Sequence, residues 1–340
     1  MRSAATALAS EIMGPQAQPL AGLVWVIRFY ADGSSEELAV DKPIPDQDGW
    51  LWLHFNLADT RACQFLSSTS CLPAPARESL VTADEHQQLH ADQACVHGIL
   101  ADLVCGLGGA TEEIGFLHFA ITETLLVSSR RHMLNAVEAT RRALRRGLKV
   151  ATAATLLEKI MENVVEAVDR YAGGLADHLD RIEERILTDE LIIDRQMIGR
   201  IRRMTVRLHR QLVILRSLIH RFEHELEHSS KPVPRLATGK LRQRLEWLDT
   251  EIVALRDRSH LLQEEITLKT AEQTNRNLQV LAIVTTVFLP ASLVAGIFGM
   301  NVEGLPWTHD ESGFLWAMAI LIAASGLVYW LLKRSGILGR

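Results

Sequence analysis

Charged residues are missing from two long stretches near the end of this chain. Residues 278–298 and 314–332 contain no Asp, Glu, Lys, Arg or His, although charged residues make up 23% of the whole sequence. About 20 consecutive apolar residues are enough to cross a bilayer as a helix. We therefore expect two membrane spans, at 278–298 and 314–332, joined by a short loop.

Cysteine is scarce, and the patterns that bind nucleotides or nucleic acids are missing. The four cysteines, Cys63, Cys71, Cys95 and Cys105, form no CxxC pair, which is typical of reduced thiols rather than of a disulfide framework. No GxxxxGK[ST] phosphate loop is present, and no pairing of a nucleophile with a base stands out. The net charge of −5 argues against a nucleic-acid partner. We expect neither an enzyme nor a protein with a cofactor.

The Lys and Arg residues near the two spans lie before the first span and after the second, at the ends away from the connecting loop. The loop between the spans contains Glu303, Asp310 and Glu311 but no Lys or Arg. Because Lys and Arg concentrate on the cytosolic side of a membrane, we expect both termini in the cytosol and the loop outside. The flanking cations are Lys269, Arg276, Lys333, Arg334 and Arg340.

The region before the first span predicts an α+β domain followed by long helices. Residues with high strand propensity are concentrated in four segments, namely 22–30, 50–57, 95–104 and 116–128, and a helical segment is expected at 60–83. The period then becomes helical, with long helices expected at 152–187, 194–228 and 235–298. Apolar residues spaced by three and four form a heptad seam in the last of these helices. Such a helix needs neighbouring helices or copies of itself to be stable.

The triplet Gly299-Met300-Asn301 ends the first span and precedes the second. A GMN triplet in this position, with two C-terminal spans and a helix-rich region upstream, resembles the CorA superfamily of divalent-cation transporters. The next residues, 302–307 (VEGLPW), are more similar to its zinc-transporter (ZntB) branch than to its magnesium branch. In the magnesium branch a Tyr usually precedes the triplet, whereas this chain has Phe298. The resemblance covers most of the chain apart from the first 20 residues.

The resemblance implies a funnel-shaped homopentamer in a bacterial inner membrane, with the first span of each copy lining a pore. The domain boundaries that we expect are a tail at 1–20, a cytosolic α/β domain at 21–150, long cytosolic helices including a stalk at 151–277, the first span at 278–298, the external GMN loop at 299–313, the second span at 314–332 and a cytosolic tail at 333–340.

One face of the first span is rich in small and hydroxyl residues. Counting back from the triplet at helical spacing gives Gly296, Ser292, Leu289, Thr285, Leu278 and Asn275. Pore lining is the interpretation that the triplet favours, and close packing between helices is the alternative.

The triplet itself is the expected selectivity loop. A ring of Asn301 amides, one from each copy, would present neutral oxygen dipoles to a hydrated cation, with Gly299 at the end of the helix and Met300 packing the ring. Conduction needs weak, repeated sites rather than tight Cys or His ligation. Glu303, Asp310 and Glu311 are expected either to concentrate cations at the outer mouth or only to solvate the loop.

The expected function is transport of a divalent cation, with Zn²⁺ as the substrate. The alternatives are a Mg²⁺, Co²⁺ or Ni²⁺ channel of the same superfamily and a membrane-anchored scaffold that senses metal. The zinc branch is associated with proton-coupled transport. Because neither span contains an ionisable residue that could relay protons, coupling would have to use pore water or loop residues such as His309.

Two further groups before the spans are metal or cation candidates. His220, His224 and His228 follow one another at i, i+4 and i+8, a spacing that suits Zn²⁺, although a surface helix end would also accommodate them. An acidic segment either attracts cations or is an ordinary soluble helix surface; it comprises Asp177, Asp180, Glu183, Glu184, Asp189, Glu190 and Asp194.

Overall fold

The computed structural model describes residues 22–42, 44, 48–92, 94–106, 109–188, 195–228, 236, 238–300 and 313–334. The chain divides into two compact units, Met1–Leu261 and Leu262–Arg340.

The first unit contains a seven-stranded sheet in the order β2-β1-β3-β7-β6-β5-β4. The central pair β3 and β7 is parallel, and the other neighbouring pairs are antiparallel. The strands are β1 (Leu23–Phe29), β2 (Ser35–Leu38), β3 (Trp50–Asn56), β4 (Gln88–Asp92), β5 (Cys95–Gly106), β6 (Gly109–Ile121) and β7 (Leu125–Arg130).

Helices cover both faces of this sheet because its central strands are apolar on both sides. On one face Val26, Leu53 and Phe55 pack in a common core with α1 (Thr60–Ser68) and α2 (Ala74–Val81). On the other face lie α3 (Asn135–Arg145) and α4 (Ala153–Leu187). Here the Trp50 indole donates to the carbonyl of Ala151 at 3.1 Å, just before α4. The mixed α/β domain expected from the sequence is confirmed.

The strand pattern differs from the sequence prediction in three places. The segment predicted as one strand at 116–128 is divided between β6 and β7, because a turn at Thr122 closes with its N–H donating to the carbonyl of Leu125 at 2.8 Å. The short strands β2 and β4 were not predicted, since their sequences SEEL and QLHAD lack a run of β-branched residues.

Three long helices follow: α4, α5 (Arg195–His228) and α6 (Gly239–Phe298). In the first unit the predicted seam of α6 is buried, with Leu245, Leu248 and Ile252 fully enclosed. Asp249 on α6 accepts from His209 on α5 at 2.6 Å. The seam therefore packs against helices of the same chain in this unit.

The predicted acidic segment begins within α4. Asp180 and Glu183 both pair with Arg258 of α6, so one positive charge offsets part of the charge of these two carboxylates. Asp177 and Glu184 also lie in α4. Asp189, Glu190 and Asp194 are outside the described residues.

Among the residues that the structure describes, two helices are long and apolar enough to cross a membrane, by length and composition. They are the C-terminal part of α6 and α7 (Gly313–Arg334). The 60 residues of α6 correspond to about 90 Å of helix. The long helix and the second candidate span agree with the sequence prediction.

Candidate functional site

The two apolar helices of the second unit each have one half-covered stripe, whereas most of their other side chains are exposed. On α6 the stripe repeats every three or four residues and consists of Ile283, Val287, Pro290, Ala291, Val294 and Phe298. On α7 it consists of Gly313, Ala317, Leu321, Ala324, Ser325 and Val328. Each of the two helices therefore has one side that is less exposed than the rest of its surface.

The face of α6 that was predicted to line a pore points away from this stripe. At 100° per residue, the two faces are roughly 160° apart around the helix. All six predicted residues are exposed in the single chain, including Leu278 at 58% and Leu289 at 64%. A Cβ atom added at Gly296 would meet nothing within 4 Å. The six residues are Asn275, Leu278, Thr285, Leu289, Ser292 and Gly296.

The hydroxyl groups on and beside this face present acceptors rather than donors. Thr285 donates its hydroxyl proton to the carbonyl of Leu281 at 2.7 Å, and Thr286 donates to Ala282 at the same distance. The remaining lone pairs can therefore accept from water around a cation. Pro290 has no N–H, which leaves the carbonyl of Thr286 without its usual helical donor. The face therefore carries hydroxyl acceptors between apolar residues and no charged side chain.

The end of α6 positions the first two residues of the predicted selectivity loop. Helix α6 ends at Phe298, the Gly299 N–H donates to the carbonyl of Ala295 at 2.9 Å, and the Met300 N–H donates to that of Ile297 at 3.3 Å. A Cβ atom at Gly299 would lie 3.0 Å from the Ala295 oxygen, so this closure favours glycine. The rest of the predicted loop is outside the described residues, namely Asn301, Glu303, His309, Asp310 and Glu311.

The edge of this face that carries Asn275 continues by one heptad to a residue that was not predicted. Leu268 lies seven residues before Asn275 and is 71% exposed. Its neighbours include Lys269 and Glu272, so this part of α6 is expected to lie in water. The signal was a seven-residue spacing that runs through Leu268, Asn275, Ala282, Leu289 and Gly296.

The histidine candidates are not gathered into a metal site in the part of the chain that the structure describes. His220 and His224 are exposed on α5, and the side chain of His228 is outside the described residues. No group of three or more His, Cys, Asp or Glu among the described residues could hold a metal ion. Zinc ligation by this trio stays a prediction.

The comparison with known families supplies the context for these helices. The model of the family described as "CorA-like Mg2+ transporter protein" matches residues 47–334, which is most of the chain. The chain belongs to the CorA-like family. This confirms the resemblance that the GMN triplet and the two C-terminal spans indicated.

Individual CorA-like relatives agree with this assignment. The chain is 24% identical over 296 residues to "Zinc transport protein ZntB" of Cronobacter sakazakii, covering 86% of this chain and 89% of that protein. It is 26% identical over 307 residues to "Divalent cation transporter CmaX" of Pseudomonas aeruginosa, covering 88% and 90%. The solved structure of full-length CmaX matches with a TM-score of 0.74 at 24% identity, covering 94% of this chain and 99% of that one. This last likeness concerns the fold.

Proposed function

We propose that this CorA-like chain forms a homopentamer that conducts divalent metal cations, with Zn²⁺ as the preferred ion, through a pore lined by α6. The observation that supports it best is the geometry of α6. The face with small and hydroxyl residues lies opposite the stripe that we assign to α7, and it is exposed from Leu268 to Gly296.

A single chain cannot enclose a water-filled path with two spans. Several copies around an axis can, provided that each turns the same face of α6 inward and keeps α7 outside. In the single chain the Leu268 side chain is exposed among charged neighbours. Exposure of this apolar surface to water is unfavourable. Contact between copies would remove that surface, and the heptad spacing suits such contact.

Selectivity in this proposal comes from the GMN loop at the outer end of the pore. Asn301 amides from the five copies form a ring of neutral dipoles, which can bind the water shell of a cation or replace part of it. Glu303, Asp310 and Glu311 would place about fifteen carboxylates near this ring and raise the local cation concentration. Inside the pore, Thr285 and Ser292 offer weak acceptor sites.

The choice of Zn²⁺ is supported by the residues after the triplet and by the relatives named as zinc transport proteins. Mg²⁺, Co²⁺ or Ni²⁺ is the alternative substrate. We place the protein in a bacterial inner membrane, as the resemblance implies, with both termini in the cytosol, because Lys and Arg flank the ends of the two spans that lie away from the connecting loop. Proton coupling would act through pore water or loop residues, since the spans lack ionisable groups.

Metal flux into proteoliposomes tests this function. We expect purified protein to admit Zn²⁺ faster than Mg²⁺, as reported by a metal-sensitive dye inside the vesicles. Asn301→Ala should abolish the flux. Asn275→Ala, on the pore face, should lower it several-fold, whereas Asn277→Ala should leave it unchanged, because the two asparagines are roughly 160° apart around the same helix.

Three results would contradict parts of the proposal separately. Absence of flux for every divalent cation would favour the membrane-anchored scaffold. Faster Mg²⁺ than Zn²⁺ flux would assign the chain to the magnesium branch. Equal effects of the Asn275 and Asn277 substitutions would remove the assigned pore face. Repeating the zinc assay with an imposed pH gradient tests the coupling to protons.

A further inference from the structure

Two adjacent glycines, Gly173 and Gly174, lie in the middle of α4. They are the only glycines in this helix, which runs from Ala153 to Leu187 and contains no proline. Glycine is disfavoured in a helix by roughly a factor of five relative to alanine, because it loses more backbone freedom on folding. The pair is therefore a point of low intrinsic helix propensity between two regular helical segments.

Close packing does not account for the pair. A Cβ atom added at Gly173 or Gly174 would meet nothing within 4 Å beyond the adjoining backbone of α4. Gly98 in β5 is the opposite case, because a Cβ atom there would collide with the carbonyl oxygen of Gln88. Gly173 is half-buried and Gly174 is exposed. An alanine fits at either position of the pair, so contacts do not offset its low helix propensity.

The part of α4 before the pair is attached to the α/β domain. Val164 lines a small cavity together with Leu103 of β5 and Ile114 of β6. The Asn163 side chain donates to the hydroxyl of Thr140 on α3 at 2.8 Å. This part of α4 is therefore held by the sheet and by a neighbouring helix of the same domain.

The part of α4 after the pair is attached to another long helix. Asp180 and Glu183 pair with Arg258 of α6, and Leu179 between them is fully buried. Residues 240–261 of α6 contain neither glycine nor proline, so this stretch of α6 has no comparable point of low helix propensity. The glycine pair therefore lies where α4 changes from one set of neighbours to another.

We propose that Gly173 and Gly174 form a hinge at which α4 bends, so that segment 175–187 tilts relative to the sheet and the paired segment of α6 moves with it. Pairs of small residues are among the few causes of sharp bends in helices that lack proline. Hinges are a few residues that absorb changes in φ and ψ, which glycine does at the lowest steric cost. The hinge belongs to the first unit and does not depend on conduction through the spans.

Hydrogen–deuterium exchange of the full-length protein in detergent, followed by mass spectrometry, tests the hinge locally. The N–H groups of residues 175–178 donate to the carbonyls of residues 171–174, so bending at the pair breaks these bonds. We expect exchange at 175–178 to be faster than in the adjoining turns of α4. The double variant Gly173→Ala/Gly174→Ala should slow it by roughly fivefold or more, because alanine favours the helix.

Gly199→Ala in α5 is the matched control. It also replaces a glycine inside a helix, and its Cβ atom would make only an ordinary contact, at 3.5 Å, with the guanidinium of Arg203. It should leave the exchange at 175–178 unchanged, because Gly199 is not in α4.

A distance measurement between spin labels tests whether the distal segment moves. Unnatural amino acids at positions 123 and 184 carry the labels, so that the native cysteines stay unmodified. Glu123 is exposed between β6 and β7, and Glu184 is exposed on α4 beyond the pair. The wild type should give a broad distribution of distances, and the double alanine variant a narrower one. Gly199→Ala should keep the width of the wild type.

Three outcomes would overturn the proposal: exchange at 175–178 that is no faster than in the adjoining turns, exchange that the double variant does not slow, or equal widths of the distance distribution in the wild type and the double variant. Alanine fits at both positions, so the double variant is expected to fold and to be at least as stable as the wild type, and thermal unfolding checks this. Because neither measurement uses ion flux, failure of the hinge is distinguishable from failure of the proposed pore.

Discussion

His54 shows at the residue scale how the α/β domain keeps a titratable group buried. Its Nε2 accepts from Arg130 Nε at 3.0 Å, so the ring proton is on Nδ1 and is donated to the Ser128 hydroxyl oxygen at 2.8 Å. The ring also stacks on Trp25, with centroids 4.1 Å apart. Burial lowers the pKa of His54 well below its usual value, and the charges of Arg130 and Arg141 lower it further. The native network needs the neutral imidazole.

This network predicts that the protein loses stability in mild acid. Below about pH 6.5 the unfolded His54 binds a proton that the folded ring does not, so the free energy of unfolding falls as the pH decreases. Each pH unit over which the unfolded ring holds one proton more than the folded ring is worth about 1.4 kcal/mol. Thermal unfolding of the full chain in detergent, followed by tryptophan fluorescence, should show a smaller pH effect for His54→Gln than for the wild type.

A residual pH effect is expected in that variant, because burial also lowers the pKa of His97 and His118. His220→Gln serves as the control and should keep the wild-type pH dependence, because His220 is exposed on α5 and lies outside the His54 network. An unchanged pH dependence in His54→Gln would show that the His54 pKa is not depressed in the folded state.

At the scale of elements, Arg258 connects two of the long helices. It lies on α6 and pairs with both Asp180 and Glu183 on α4. We expect Arg258→Gln to lower the free energy of unfolding by less than about 1 kcal/mol, because the Arg258 side chain is 34% exposed and solvent screens the pairs. High salt should reduce the difference between variant and wild type.

Arg256→Gln provides the comparison for this measurement in chemical or thermal unfolding. Arg256 is on the same helix but pairs with the adjacent Asp257, so it does not join two helices. If the two substitutions cost the same and respond equally to salt, the pairs of Arg258 do not stabilise the contact between α4 and α6.

The sequence predicted those elements whose signal is local and long. The charge-free stretches, the heptad seam through Leu245 and Ile252, and the helix that runs without interruption to Phe298 all follow from spacing within one segment. The turn at Thr122 was missed because only three residues, Thr122, Glu123 and Thr124, interrupt a run of strand-forming residues. None of the three is among the residues that usually form turns.

Contacts between segments that are distant in the sequence could not be predicted from the spacing of residues within one segment. Asp102 on β5 is an example, since its carboxylate accepts from the N–H of Ala136 at 2.7 Å and so caps α3 from another element. Burial raises its pKa to about 7, while its backbone hydrogen bonds act in the opposite direction. The pairing of His90 with His97 across β4 and β5 is a second example, because β4 was not predicted. The candidate pore face could be listed from helical spacing alone, but its position opposite the covered stripe required the structure.

The whole-molecule proposal has a consequence outside the membrane. Leu268 continues the pore face of α6 by one heptad and is largely exposed in the single chain. If the copies share an axis through this face, the five Leu268 side chains surround the axis and approach one another. If the chain acts alone or assembles through another surface, they remain in water.

Cross-linking distinguishes these arrangements. In membranes treated with a short bis-maleimide, Leu268→Cys should give covalent dimers on a denaturing gel well above the background of the unmodified chain, which carries the four native cysteines. Gln273→Cys is the matched control, because Gln273 is also exposed on α6 but lies roughly 140° away around the helix. It should give no more dimer than the unmodified chain. Equal cross-linking at the two positions would show that the copies do not meet preferentially through this face of α6. No cross-linking at 268 would show that the Leu268 positions of different copies are not close together. Either result would mean that this face does not line a common axis.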